Sequence, residues 1–139
     1  YADNPNHPDI ATSLNNIGSV YDSKGEYKNA LKYYWFLCNK KKSYSDNPNH
    51  TDIAISLNNI GSVYDGKGDY NKALVYYGKS YQIRKKLYDD NRNNTDIANS
   101  LNNIGLVYNK KGDHNNALDF FERSFQIRKK LYDDNPNHT

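Results

Sequence analysis

Apolar residues recur along the chain at helical spacing. Ile10, Leu14, Ile17 and Tyr21 are separated by 4, 3 and 4 positions, which makes one stripe along a helix. A glycine, Gly25, interrupts the pattern, and a second stripe follows through Tyr27, Ala30, Leu31, Tyr34 and Cys38. The block Ser-Leu-Asn-Asn-Ile-Gly carries the first stripe three times, at Ser13–Gly18, Ser56–Gly61 and Ser100–Gly105, with offsets of 43 and 44 residues. Aligned on it, the chain divides into repeats 3–45, 46–89 and 90–133, and the last two agree at 30 of 44 positions. The pattern predicts three two-helix hairpins. First helices are expected over 9–23, 52–67 and 96–111, and second helices over 26–43, 69–87 and 113–131.

The boundaries have local chemistry to match. Gly25, Gly68 and Gly112 stand at the turns inside the hairpins, where a left-handed residue closes a helix cheaply. The linkers Asp-Asn-Pro-Asn-His and Asp-Asn-Arg-Asn-Asn separate the repeats, and proline discourages helix continuation. Thr51 and Thr95 are read as N-caps. Asp9, Asp52 and Asp96 fall in first turns, where negative charge suits the helix dipole, and Lys40–Lys42, Arg84–Lys86 and Arg128–Lys130 are placed in last turns, where positive charge does.

Leu14, Ile17, Gly18, Tyr21, Gly25, Ala30 and Tyr34, with their equivalents in the later repeats, resemble the tetratricopeptide repeat. The repeats are about ten residues longer than the ordinary 34, and Pro8-Asp9-Ile10-Ala11 running into Ser-Leu-Asn-Asn-Ile-Gly is similar to the long repeats of kinesin light chain. The resemblance covers essentially the whole chain. It implies an all-α, right-handed α-solenoid of three hairpins whose first helices line a concave groove. Tyr1–Pro5 matches the repeat tail Tyr132–Pro136, so residues 1–139 are read as one domain cut from a longer array, with 134–139 a linker to a further repeat.

Composition narrows the function. No apolar run approaches the roughly 18 residues of a membrane span, so membrane insertion is not expected. One Cys rules out an internal disulfide framework, and a cytoplasmic setting is expected. A net charge of +3 falls short of a nucleic-acid-binding composition, and no interleaved aromatic platform accompanies the basic triplets, so nucleic acid is not an expected partner.

No catalytic constellation, cofactor motif or metal site is found, and a non-enzyme is expected. His7, His50 and His138 recur once per repeat in linkers that the stacking holds apart. Gly66-Lys67-Gly68 lacks the strand and spacing of a phosphate loop. Asn49, Asn93 and Asn137 begin glycosylation sequons that arise easily among 22 Asn. His114 replaces Tyr27 and Tyr70 at a packing position and is expected to be part-buried. Cys38 is expected to be a buried structural thiol, its bulk exchanged with Leu37 where the other repeats have Ser80-Tyr81 and Ser124-Phe125.

The polar side of the first helices is the informative feature. At about 100° per residue, Thr12, Asn15, Asn16, Ser19 and Asp22 point away from the apolar stripe. Their counterparts are Asn58, Asn59, Ser62 and Asp65, then Asn99, Asn102, Asn103, Asn109 and Lys110. An amide both donates and accepts, as a peptide backbone does. With first helices about 10 Å apart and an extended peptide rising about 3.3 Å per residue, one Asn rung per repeat meets roughly every third ligand residue. The resemblance implies the same, since kinesin light chain-like arrays grip cargo peptides with an Asn ladder. The alternative is that Asn fills polar sites through codon drift and recent duplication. A chaperone-type carboxylate clamp needs cations on first helices, and Lys110 is the main one here. Trp35 and Phe36 read as outer-surface aromatics, for a partner or for packing on the neighbouring helix. Phe121, Phe125 and Leu131 are expected on an exposed side of the last hairpin. The expected function is thus a peptide-binding scaffold, with self-association, or service as an accessory domain of a larger enzyme or signalling protein, as alternatives.

Overall fold

The computed structural model describes residues 8–43, 50–88 and 94–134, except for the side chains of residues 8, 9, 40–43 and 50. The linker residues 44–49 and 89–93, His7, His138 and the three sequon asparagines lie outside the described residues. Six helices follow in order: α1 (Pro8–Ser23), α2 (Tyr27–Ser43), α3 (His50–Gly66), α4 (Tyr70–Leu87), α5 (Thr95–Lys110) and α6 (His114–Asp134). They pair as α1–α2, α3–α4 and α5–α6, and each hairpin packs on the next through α2–α3 and α4–α5. Among the described residues there is no strand.

The turn inside each hairpin is the same. Gly25, Gly68 and Gly112 have φ of 75, 79 and 82°. Gly25 N donates to Asp22 O and Glu26 N to Tyr21 O, at 2.9 and 2.8 Å, and the same two bonds close α3 and α5. This 6→1 and 5→2 pairing satisfies carbonyls that a helix end leaves open. The next residue then starts the second helix. Asp69 Oδ1 accepts from Lys72 N and Asp113 Oδ1 from Asn116 N, both at 3.3 Å. One Gly-Asp step therefore ends one helix and caps the next.

Three boundary expectations need correction. Thr51 is not a cap, because α3 already begins at His50. Thr95 is the first helical residue of α5, and its N-cap is Asn94, whose Oδ1 accepts from Asp96 N at 2.7 Å. Arg128–Lys130 do not occupy a last turn, because α6 continues to Asp134 and ends on acids. Asp52, Asp96 and Arg84–Lys86 do lie in the turns assigned to them.

The core has one motif in triplicate. A glycine on the first helix lets an aromatic ring of the second helix lie against its backbone. Tyr34 faces Gly18, Tyr77 faces Gly61 and Phe121 faces Gly105, so closely that an added Cβ would stand 2.6, 2.7 or 2.8 Å from the ring. Beside the ring, buried Ser80 donates to Ala54 O at 2.7 Å and buried Ser124 to Ala98 O at 2.8 Å. In the first hairpin, Leu37 and Cys38 fill the corresponding space and both are buried, as expected from their exchanged bulk. Between hairpins, Ile60 and Val63 pack on Ala30, Tyr34 and Cys38, and Ile104 and Val107 repeat this on Ala73, Tyr77 and Tyr81.

Candidate functional site

The first helices lie along one side of the stack and carry the polar residues singled out from the sequence. Thr12, Asn16 and Ser19 are exposed on α1, with Asn15 and Asp22 half-buried. On α3, Asn58, Asn59, Ser62 and Asp65 are half-buried, as are Asn102 and Asn103 on α5. Successive first helices are joined across this face. Asn103 Nδ2 donates to Asn58 Oδ1 at 3.3 Å, and Lys110 Nζ reaches both Asp65 oxygens at 2.9 and 3.0 Å. One repeat earlier, Asn15 Oδ1 is buried and accepts no hydrogen bond from the described residues.

Some of the expected groove residues are drawn elsewhere. Asn99 Oδ1 accepts from Arg128 Nη2 at 2.6 Å, and Asn109 Oδ1 lies 3.0 Å from His114 Nδ1, so both turn toward α6. Lys110 is spent on Asp65, which removes the main cation on which a carboxylate clamp would depend. His114 is exposed rather than part-buried. Its equivalent Tyr27 is held by the next repeat, where its hydroxyl donates to Gly66 O at 3.3 Å. Asp22 sits where Asp65 does, but Gly66 stands in the place of Lys110. Burial without a matching cation pushes the Asp22 carboxyl above its ordinary range.

Beneath the face, Ser19 is hydrogen-bonded to the Tyr34 hydroxyl and Ser62 to that of Tyr77. Burial, reinforced by the nearby Asp22 and Asp65 carboxylates, raises both phenols to about 12. The third repeat replaces both partners together, with Leu106 for Ser and Phe121 for Tyr.

The opposite side is built from second helices. Trp35 takes the packing alternative: it is half-buried and meets the Tyr76 ring of α4 edge-on at 5.4 Å, against the core. Phe36 is exposed. Phe121 packs over Gly105, and Leu131 is half-buried, so of the three expected end-face residues only Phe125 is exposed. Sequence reading missed Arg84. It lies beneath the second-to-third junction, where Nη1 donates to the buried Ser100 hydroxyl at 2.7 Å and burial lowers its pKa. Its signal was an arginine 28 positions after the repeat serine, in the triplet read only as a dipole partner. Among the described residues, no three His, Cys, Asp or Glu side chains converge as metal ligands, and no helix is long and apolar enough to cross a membrane.

Two tetratricopeptide repeat family models match, one over residues 53–93 and 97–139 and the other over 11–34. The chain belongs to the tetratricopeptide repeat family. No curated protein matches it. Among solved structures, this tetratricopeptide array is similar to BtubC (BKLC) from P. vanneervenii, with a TM-score of 0.78 and 22% identity. That match covers 91% of this chain and 50% of the other. A kinesin light chain-like protein of nearly identical TPR-like repeats from Podosopora anserina gives a TM-score of 0.70 at 15% identity, over 92% of this chain and 59% of that one. A variant of that protein gives 0.72 at the same identity and coverage. The likeness is one of fold: an α-solenoid of long, kinesin light chain-like repeats. Such arrays are, as a family, protein-interaction scaffolds.

Proposed function

We propose that this tetratricopeptide array holds an extended peptide segment in the groove lined by its first helices. The observation that carries this reading is the amide pair repeated once per hairpin on that face: Asn15-Asn16, Asn58-Asn59 and Asn102-Asn103. The Asn58–Asn103 bond shows that the two ranks come within reach of each other across a repeat junction. A backbone offers both donors and acceptors, and amides match both. Changing Asn16, Asn59 and Asn103 together to Ala removes three such contacts, each worth about 0.5–1.5 kcal/mol net. Affinity for a peptide selected on the unaltered chain is expected to fall roughly ten- to a thousand-fold if the losses add. Unchanged affinity in the folded triple variant defeats the reading.

A second reading, self-association, rests on a different observation: Val20 is 60% exposed, whereas its equivalents Val63 and Val107 are fully buried. The surface that covers them in the stack has a counterpart on α6, and a second copy of the chain presents it.

A further inference from the structure

Charge is divided between the two sides of the stack. The first helices hold five Asp and one Lys, whereas α2 and α4 each hold five Lys or Arg and no acid. In α6 four basic residues are matched by four acidic ones. Of the cations of the first two second helices, Lys28 and Lys32 on α2 and Lys72, Lys79, Lys85 and Lys86 on α4 are exposed, whereas Arg84 is drawn beneath the junction to Ser100.

The same helices also frame an apolar opening. Between α2 and α4 lies an open cleft of about 620 Å³. Ile53 and Leu57 of α3 line it, with Trp35 of α2 and Tyr76 and Ile83 of α4. Lys79 sits beside it, 5.3 Å above the Tyr76 ring, and pairs with no carboxylate among the described residues. Gly78 keeps the mouth open: a Cβ built there meets nothing within 4 Å. A related cleft between α4 and α6 contains Ile97, Leu101 and Ile127, the counterparts of Ile53, Leu57 and Ile83. There, Arg123 is already engaged, donating to the Tyr81 hydroxyl at 2.9 Å, and Glu122 takes the place of Gly78. Lys85 also lines that second cleft, but a glycine at the mouth with a lysine beside it is the feature of the first.

The geometry points to a second binding site here, for an acidic peptide segment that seats one apolar side chain in the α2–α4 cleft. Burial of the anchor supplies affinity, and Lys79 at the mouth selects for carboxylates and speeds the encounter. Nucleic acid fits less well, because Trp35 and Tyr76 are set edge to face and half-buried, leaving no open platform for a base.

Trp35 is the single Trp of the chain, so its fluorescence reports on the cleft. The 139-residue chain is titrated with a Glu-rich peptide bearing a central Leu-Leu pair. The comparison ligands are the same peptide with Gly-Gly at its centre, a Lys-for-Glu version, oligo(dT) and phosphatidylserine vesicles. A saturable spectral shift is expected with the Glu/Leu peptide, and binding several-fold weaker or absent with the others. Gly78→Glu is expected to weaken that peptide several-fold without lowering the melting temperature, since the position is open and the third repeat holds Glu122 there. Lys79→Glu is expected to act in the same direction. Equal binding of the Gly-Gly peptide, preference for oligo(dT) or vesicles, or unchanged affinity in folded Gly78→Glu overturns the proposal. So does loss of the Glu/Leu peptide in the Asn16, Asn59 and Asn103 variant, which would place it in the groove instead.

Discussion

At Gly61 an ordinary side chain has no room, because its Cβ would stand 2.7 Å from the Tyr77 ring. The ring belongs to the core of the central hairpin and cannot retreat without moving α4. Gly61→Ala is therefore expected to cost about 1–3 kcal/mol, the usual penalty for overpacking. Gly78→Ala is the contrasting case, where the new methyl meets nothing and helix propensity alone acts, for a gain of about 0.5–1 kcal/mol. Urea unfolding of the two variants separates the effects by sign. The tyrosine hydroxyls add a pH dependence. In the folded chain the Tyr34 and Tyr77 phenols titrate near 12, against an ordinary value of 10.0. Between those values the native state keeps protons that the unfolded state has released. This contribution is fully present below pH 10 and is lost as pH rises toward 12. Replacing both residues by Phe, as the third repeat already does at Phe121, is expected to flatten that alkaline decline in denaturant midpoint. A decline as steep as in the unaltered chain would assign it to other groups.

The helical hairpins were legible because each carries its own punctuation. A left-handed glycine followed by an acid fixes the break after α1, α3 and α5, and the apolar stripe fixes which faces meet. Gly68→Ala, at φ 79°, is expected to cost about 1–2 kcal/mol from backbone sterics. Asp113→Ala is expected to lower the unfolding midpoint through loss of the cap. Both are read from thermal or urea unfolding, and a neutral Gly68→Ala would contradict the turn geometry. The caps lie at Asp69 and Asp113, directly after the turn glycines, and not at the threonines after the linkers. There α3 starts at His50, two residues before a Thr51 cap would place it, and α5 at Thr95, one residue before a Thr95 cap would. The extra turn of α6 was missed because nothing in Leu131–Asp134 stops a helix before Pro136. On the first-helix face, the Asn pairs followed from the angular arithmetic. The roles of Lys110, Asn99 and Asn109 did not, since each reaches across to another helix, and only the register between helices decides such contacts.

At the scale of the whole molecule, a stacked array is held by contacts between neighbouring hairpins, and each hairpin offers a different face to the one before and the one after. Ile60 and Val63 close on Ala30, Tyr34 and Cys38 of the preceding hairpin, and Ile104 and Val107 do the same one step along. The equivalent pair on α1, Ile17 and Val20, is exposed, and so is Phe125 on α6, at 59% against 9% for Tyr81 and 0% for Cys38. The α1 face of one copy is thus shaped like the surface that covers the α6 face of another. Joining them would duplicate an interface the molecule already makes twice. Such a contact is heterologous, so it leaves a fresh face at each end and can propagate. Sedimentation equilibrium is expected to show a mass that grows with concentration. Val20→Glu and Phe125→Glu should each suppress growth, since either one spoils a face. Mixed together, the two variants still hold one sound face each, so they should form a heterodimer that goes no further. An isologous dimer through Phe36 would ignore both substitutions, and a constant monomer mass at high concentration would rule out self-association.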